Sequence, residues 1–364
     1  MPSNPENLPM STDISVSPAP GTTPDEIPPS DPDTSSTGSR FARGTIRSSV
    51  FWILIVLFVE VLTFSLALPP DTFLSTFNAQ TIAADASVLL ILSAGATLVI
   101  ISGGLDLSIG SVMTLGAVVA ALVMNDVGGS DVAAIAVGVA AGVGVATAWG
   151  IINGLLVAVA KVPPFVVTLG SLGAALGVAR LLSEGKTVAG TPHPFSRDIG
   201  QGLVLGIPVP FLIGAAAMLV FGIVLHQTRF GEHTYLIGSN DEAARRGGIH
   251  VKRHVIAIYA ISGALAGLAG LVDLARFDSA NVATGHVSEL LAAVAAVVIG
   301  GASLFGGSGF MAGTAIGVFI PVVLANGLLI GGIERFWQDI IVGGFLVTAV
   351  AFDQWRRGQE LRGR

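Results

Sequence analysis

Long apolar segments recur along most of this 364-residue chain, and such segments are typical of a protein embedded in a lipid bilayer. A membrane-spanning helix needs about 20 predominantly apolar residues, and about ten windows approach that length. Because backbone groups in lipid must bond within their own segment, the chain is predicted to be an all-α polytopic membrane protein. The windows are 49–68, 81–101, 107–124, 132–160, 164–182, 208–225, 254–274, 288–301, 310–330 and 337–353.

The composition supports this class. Hydrophobic residues make up 52% of the chain and charged residues only 12%, whereas soluble domains are about a quarter charged. The stretches at 288–301 and 102–112 are short and broken by glycine, so re-entrant or interrupted helices are expected there. Small-residue spacings such as Gly263-x-x-x-Gly267 favour close helix packing. The chain has no cysteine, which excludes disulfides and thiolate metal sites.

The two ends of the chain are predicted to be tails. Residues 1–44 contain nine of the 18 prolines and few large apolar residues, so they are expected to form a disordered cytoplasmic tail. Residues 45–355 are predicted to be the transmembrane domain, and 356–364 a second tail. Basic residues cluster before the first window and after the fourth, sixth and last windows. With ten spans, the positive-inside rule places both termini and the loop 226–253 in the cytoplasm.

That loop is the one long charged segment between apolar windows, and it can form a helix. It offers an N-cap, two acids in a first turn, two bases in a last turn and two glycines for a left-handed end. These residues are Asn240, Asp241, Glu242, Arg245, Arg246, Gly247 and Gly248. The sequence therefore predicts a short helix outside the bilayer, and an ordinary solvated loop with one helical turn is the alternative.

Two glycine-broken stretches, at 103–111 and 300–308, share the pattern GGxxLxxGS, and each is followed by Asn-Gly-Leu-Leu. A diverged internal duplication explains this, and so does chance similarity in a chain rich in glycine and leucine. Non-helical backbone at membrane depth is tolerated where it lines a cavity, so these stretches are candidates for a translocation pathway. Ordinary helix packing explains the two asparagines about as well. The candidates are Gly103, Gly104, Asp106, Ser108, Asn153, Gly300, Gly301 and Asn326.

Sequence signals for catalysis are missing. The run 183–187 ends in Gly-Lys-Thr, but Arg180 stands where a phosphate-binding loop needs its first glycine. His250 and His254 are four residues apart, yet no glutamate follows His250 and the neighbours are basic, which disfavours a metal site. We therefore expect no enzyme, no metal and no cofactor bound by this chain. Uphill transport would need a partner or a coupling ion.

Ion coupling would require ionisable groups inside the windows. Most of those present fall near window ends, where Asp106 could cap the following helix and Asp273 could pair with Arg276 on one helical turn. Only Asp85 and Glu289 are less easily explained in this way. An ion-driven carrier is therefore kept as the alternative from another class.

Five runs of sequence carry a resemblance to a known family. They are SGGLDLSIGSVMTLGAVVAAL (102–122), NGLLVAVAKVPPFVVTLGSL (153–172), GSNDEAARRGGIHVKR (238–253), ISGALAGLAGL (261–271) and ELLAAVAAVVIGGASLFGG (289–307). In this order they resemble the permease subunits of bacterial ABC sugar importers of the ribose/xylose/galactose type.

The resemblance implies a permease of the bacterial inner membrane that imports a monosaccharide or polyol. It implies cytoplasmic ATP-binding subunits that hold ATP and Mg, an external sugar-binding protein and a second permease copy, identical or paralogous, with no nucleic-acid partner. Within the same superfamily, a permease for a furanone signal, a nucleoside or a branched-chain amino acid is the alternative.

The family's coupling element falls on Gly238 to Gly248, so the resemblance implies that the predicted helix docks on the ATP-binding subunit. Its charged side chains would form a polar rim, and its two alanines would let it approach closely. The residues assigned to it are Gly238, Asn240, Asp241, Glu242, Ala243, Ala244, Arg245, Arg246 and Gly248. The chain departs from the usual pattern in its proline-rich tail and at 306–309, where a basic residue is common.

Overall fold

The computed structural model describes residues 37–127, 131–283 and 285–334, with isolated positions between 337 and 348. Within the first helix, side chains are described from residue 50 onwards. Contacts divide the chain into two units, residues 1–43 and 44–364, and the larger unit contains every predicted span. Most of the predicted N-terminal tail, most of the last apolar window and the predicted C-terminal tail lie outside the described residues.

Helices make up most of the described chain. They are α1 (Thr37–Ala67), α2 (Pro70–Phe73), α3 (Thr76–Ile101), α4 (Ile109–Asp126), α5 (Asp131–Ala158), α6 (Pro164–Leu182), α7 (Val209–Gln227), α8 (Arg229–Ser239), α9 (Asp241–Arg246), α10 (Val251–Phe277), α11 (Val287–Ile299), α12 (Met311–Gly317) and α13 (Phe319–Ile330). A π-helical turn covers Phe195–Gly200. The strands are β1 (Val188–Ala189), β2 (Leu203–Val204), β3 (Ile207–Pro208) and β4 (Ser279–Ala280). They form two antiparallel pairs, β1 with β4 and β2 with β3.

The predicted all-α polytopic class is confirmed. Within the described residues, eight helical segments are long and apolar enough to cross a membrane: α1 from Val50 onwards, α3, α4, α5, α6, α7, α10 and the run α12–α13. Helix α11 is apolar but has only 13 residues, so the glycine-broken window predicted at 288–301 is a short helix. The window 337–353 is described only at isolated positions, so the count of ten spans stays a prediction.

Local sequence explains where several spans begin. The Ser75 side chain caps α3 by accepting a hydrogen bond from the backbone N of Asn78. Helices α6 and α7 begin directly after Pro163 and Pro208. Proline is well tolerated in the first turn of a helix, because the N–H groups there have no intrahelical partner.

Helix α3 is the central element of the bundle. It is buried continuously from Ala86 to Ile101, because α7, α10 and α11 pack around it. Helix α10 packs on α3 and also on α4 and α5. Since α10 has 27 residues, about 40 Å separate its two ends. The polar pair α8–α9 lies at one of these ends, which we name the α9 end, and the β1–β4 pair lies at the other.

Glycines bring the backbones of α5 and α10 into contact. A Cβ on Gly150 would overlap the carbonyl oxygen of Tyr259, and a Cβ on Gly263 would overlap that of Ala146. A Cβ on Gly267 would lie 2.8 Å from the Cβ of Ala146. The close packing predicted from the small-residue spacing is therefore present, and a larger side chain at these positions must push the helices apart.

Two alanine substitutions on α5 test this packing. Gly150→Ala should destabilise the protein by about 1–3 kcal/mol, because its Cβ meets backbone of α10. Gly144→Ala is the matched control, since nothing lies within 4 Å of a Cβ there and alanine favours a helix by up to about 1 kcal/mol over glycine. The measurement is the temperature at which half of the detergent-solubilised protein stays monodisperse on size exclusion. Equal midpoints for the two variants would contradict the packing account.

Candidate functional site

The polar segment between α7 and α10 contains the predicted short helix. The Asn240 side chain accepts a hydrogen bond from the backbone N of Ala243 at 2.9 Å, so it caps α9 as predicted. The helix ends at Arg246 with Gly247 as its C-cap, and Gly248 follows in the left-handed region with a φ of +87°. The prediction of a single helix was incomplete, because α8 precedes α9 in the same segment.

The two alanines of α9 differ in burial. Ala243 is exposed, whereas Ala244 is only 6% exposed and packs against its own chain. The expectation that both alanines let a partner approach closely is therefore corrected for Ala244, because its side chain anchors α9 to the protein. Only Ala243 presents a small side chain outward.

The charged residues of α9 pair with one another along the helix. An Arg245 Nη2 lies 3.4 Å from an Asp241 oxygen, and the Arg246 Nε lies 3.3 Å from a Glu242 oxygen. All four side chains are more than half exposed, so these pairs stabilise the helix by no more than about 0.5 kcal/mol each. The charges are therefore available to a partner at little cost.

Helix α8 folds back onto the end of α7. Its buried residues, Gly231, Thr234 and Ile237, recur at a spacing of three, and this weak helical pattern is the signal that the sequence reasoning missed. A Cβ on Gly231 would overlap the carbonyl oxygen of Leu225. The Thr234 hydroxyl lies 2.9 Å from Nε2 of His254, which ties α8 to α10.

The two glycine-broken stretches meet each other beside α8. The backbone N of Gly307 donates to the carbonyl oxygen of Ile101 at 2.9 Å, and a Cβ on Gly306 would lie 2.8 Å from the Cα of Gly103. A Cβ on Gly238 would overlap the same Ile101 oxygen and lie 2.6 Å from the N of Gly307. Gly238, assigned to the coupling element, is therefore the point where the polar segment touches both stretches.

Two further hydrogen bonds join α8 and the last turn of α7 to the start of α12. The Tyr235 hydroxyl donates to the carbonyl oxygen of Gly309 at 2.7 Å. Burial raises the pKa of Tyr235 to about 12, so the phenol keeps its proton at neutral pH. The backbone N of Met311 donates to Nε2 of His226 at 3.3 Å. Tyr235 therefore links α8, and His226 links the end of α7, to the residues that begin α12.

Asp106 is the centre of a buried polar network. Its Oδ1 accepts hydrogen bonds from the backbone N of Ser108 at 3.0 Å and from the Ser108 hydroxyl at 2.6 Å. Its Oδ2 accepts from the Ser262 hydroxyl at 3.1 Å. The Ser108 oxygen accepts in turn from Nδ2 of Asn153 at 2.9 Å. Three predicted pathway residues are thus brought together where α4, α5 and α10 meet.

These three residues bond to one another within the core. Asp106 is 5% exposed, Ser108 0% and Asn153 1%. Asp106 does not cap α4 as predicted. The N-cap is Ser108, whose side chain makes no capping bond, and the Asp106 carboxylate accepts from the backbone N of Ser108 itself. The contacts therefore explain how the start of α4 is held, and a pathway role for these residues stays a prediction.

Asn326 lies in a different network. It exchanges amide hydrogen bonds with Asn78, at 2.9 and 3.0 Å. The two networks contact α3 at different heights. Asn78 lies near the start of α3, whereas Gly95, about 25 Å further along the same helix, packs against Ser262 of the Asp106 network. The two asparagines that occupy equivalent sequence positions therefore do not share a site.

Glycines 300 and 301 end α11. Gly300 is its C-cap, and a Cβ there would lie 2.6 Å from the backbone N of Thr314 in α12. Gly301 has a φ of +96°, and Gly103 of the first stretch has a φ of +81°. Glycine is needed at position 300 because the backbone of α12 lies too close for a side chain. It is favoured at positions 301 and 103 because their backbone is left-handed.

Ion pairs near the far end of α10 differ from those predicted. Asp273 lies 3.2 Å from Nε2 of His286, and Arg276 pairs with Asp85 of α3. The predicted pair between Asp273 and Arg276 is wrong, because α10 projects one side chain towards the start of α11 and the other towards α3. Asp85, left unexplained by the sequence, therefore has a basic partner.

Fold and site together define a polytopic all-α membrane protein. At one end it presents a short capped helix, and the residues directly before that helix pack against two glycine turns. Residues 78–350 match the family described as "Branched-chain amino acid transport system / permease component". The chain belongs to this permease family. It is a multi-pass protein of the inner membrane.

Curated relatives cover most of the chain. The ribose import permease protein of Bacillus subtilis is 37% identical over 300 residues, which are 82% of this chain and 90% of that protein. The D-allose transport system permease protein of Escherichia coli is 34% identical over 288 residues, 79% and 86% of the two chains. The fructose import permease protein of Rhizobium meliloti is 35% identical over 312 residues, 84% and 85%. No solved structure matches the chain. The resemblance to ABC sugar-importer permeases is confirmed.

The Asp106 network predicts a large loss of stability when the carboxylate is removed. Asp106→Ala leaves three buried donors on Ser108 and Ser262 without their acceptor, so it should cost about 2–5 kcal/mol. Asp126→Ala, at the exposed end of α4, is the control and should change stability by less than about 0.5 kcal/mol. Thermal unfolding of both purified variants gives the comparison, and a wild-type midpoint for Asp106→Ala would contradict it.

The Asn240 cap predicts local fraying of α9 when the side chain is truncated. Asn240→Ala should cost the helix about 1 kcal/mol, which corresponds to roughly fivefold faster opening. Hydrogen–deuterium exchange in the peptide covering 241–246 measures this. Asn240→Ser, which keeps a capping oxygen, should restore slow exchange. Equally fast exchange in both variants would show that the cap does not hold α9.

Proposed function

We propose that this chain is the transmembrane permease subunit of an ABC importer that carries a monosaccharide, a ribose-like pentose or hexose or a related polyol, across the inner membrane. The observation that carries the proposal is the similarity, over about four fifths of the chain, to permeases named for ribose, allose and fructose. ATP and Mg would be bound by partner subunits, because this chain carries no phosphate-binding loop of its own.

Helix α9 is proposed as the element that receives the movement of the ATP-binding subunit in the cytoplasm. It is short, capped at both ends and exposed on its charged face. At its base, Gly238 contacts backbone of α3 and of the turn before α12. A push on α9 would therefore displace whole helices and not only a loop, which is what a rigid-body transition requires.

The remaining partners are proposed from the same relationship. An external sugar-binding protein would deliver substrate at the end opposite α9, where the loop 183–208 lies. A second permease copy would complete the pathway. The glycine-broken stretches and the asparagines Asn153 and Asn326 remain the proposed pathway residues of this chain.

The proposal is tested by isolating the protein from its native membranes in mild detergent and identifying every chain that co-purifies. An ATP-binding subunit and a periplasmic binding protein are the expected partners. That binding protein is then titrated with pentoses, hexoses, polyols and branched-chain amino acids, because the family description names the last class. Tight binding of a branched-chain amino acid and of no sugar would replace the proposed substrate.

The energy source distinguishes the importer from an ion-driven carrier. Uptake by cells carrying the transporter should stop when ATP is depleted with the proton gradient kept, and should continue when a protonophore collapses the gradient with ATP kept. The reverse pattern, together with isolation of this chain alone in active form, would favour the ion-driven alternative.

Charge substitutions on the outward face of α9 should uncouple transport. Glu242→Lys and Ala243→Glu should each reduce uptake at least about tenfold, because both change the exposed surface that the ATP-binding subunit is proposed to contact. An acid in the first turn of a helix is favourable, so Ala243→Glu should insert and fold normally. Glu242→Asp and Ala243→Ser, which keep the charge and the small size of these exposed side chains, are the matched controls and should leave uptake near the wild-type rate. Normal uptake in both charge variants, with normal membrane levels, would refute the assigned role of α9.

A further inference from the structure

The turn between α11 and α12 presents an exposed aromatic side chain at the α9 end. Phe305 is 85% exposed, and its neighbour Leu304 is 40% exposed. Apolar side chains on the spans of a membrane protein ordinarily face lipid. Phe305 differs from these because its turn packs against the polar segment, at Gly238 and Ser239 of α8.

The turn holds Phe305 in a defined position. The backbone N of Ser303 donates to the carbonyl oxygen of Ser308 at 2.9 Å, and the N of Gly306 donates to that of Ser303 at 3.0 Å. The N of Phe305 donates to the Ser303 hydroxyl at 3.2 Å. Because the backbone that carries Phe305 is held, binding a partner would restrict only the rotation of its side chain.

The base of the turn is shared with α9. A Cβ on Gly307 would lie 3.0 Å from the Cα of Ser239, and the next residue, Asn240, is the cap of α9. Tyr235 holds the other side of the turn through Gly309. The exposed aromatic and the charged helix α9 are therefore neighbouring parts of one surface.

We propose that Phe305, with Leu304 beside it, is a second contact for the ATP-binding subunit and seats in an apolar pocket of that subunit next to α9. The inference rests on the proposed function, which supplies the partner. An aromatic anchor surrounded by a polar rim is the usual form of an energetically important contact between proteins, and α9 supplies such a rim of charges here.

A contact at Phe305 would act directly on the two helices that the turn joins. The turn leads directly from α11 into α12, and Gly307 is bonded to the end of α3. Helix α9 is connected along the chain to α8 and α10. Because Gly306 and Gly307 also pack on Gly238 and Ser239, a partner that holds both Phe305 and α9 would move the two segments together.

The absence of cysteine from the chain allows a direct test. Phe305→Cys is placed in the full-length permease, which is reconstituted in lipid nanodiscs so that both ends are open to solvent. The variant is labelled with a membrane-impermeant maleimide, with and without the bound ATP-binding subunit. The subunit should slow labelling at least about tenfold. Leu205→Cys, 97% exposed in the loop 183–208, is the control whose labelling should not change.

The other outcomes of this test overturn the contact. Labelling that stays fast with the subunit bound shows that the subunit does not cover Phe305. Labelling that is slow even without the subunit shows that the side chain is buried among lipid headgroups, as an interfacial aromatic. Failure of any ATP-binding subunit to bind the wild-type chain would overturn the proposed function, and this contact with it.

Truncation of the aromatic gives an independent measurement. Phe305→Ala should weaken binding of the co-purified ATP-binding subunit to the nanodisc-embedded permease at least about tenfold, because the anchor is removed. Phe305→Trp, which keeps a large aromatic, should retain most of the affinity. The side chain is exposed, so neither variant should alter the folded yield. Equal affinity for the alanine and tryptophan variants would refute an anchoring role.

Discussion

Water is missing from the interior of a bilayer, so each backbone N–H and C=O that leaves a helix there needs a partner within the protein. The stretch after α3 meets this demand with the hydroxyls of Tyr259 and Thr168, which both donate to the carbonyl oxygen of Leu105. The carboxylate of Asp106 accepts from the backbone that starts α4. Helix α3 can therefore end and α4 can begin inside the bundle. The contacts between the stretch after α3 and the turn before α12 depend on this break between the two helices.

Much of the fold could be predicted, because its strongest determinants are local. Apolar length gave the spans with small errors at their ends, and α9 was predicted from Asn240 and Gly248 because capping chemistry acts within a few residues. Helix α8 was missed since only three of its residues are buried, too few to produce a clear period. The match to known permeases came from contiguous runs, where residue identity and order carry more information than periodicity.

The partners of individual polar side chains could not be predicted in the same way. The acid that pairs with Arg276 is decided by how α10 is rotated about its axis relative to α3. That rotation cannot be read from the sequence. Similarly, the burial of Ala244 depends on how α9 lies on the bundle. Ser262, essential to the Asp106 network, carries no signal at all, because a lone serine in a glycine- and alanine-rich helix resembles any other small residue.

Helix α3 is fastened at both ends, by the amide pair of Asn78 with Asn326 near its start and by the bond from Gly307 to Ile101 at its last residue. Between these two attachment points the helix is a rod of about 35 Å. One added or deleted residue anywhere within it would turn its two ends by about 100° relative to each other. Only one fastening could then survive, so the length of α3 is under as strict a constraint as any side chain on it.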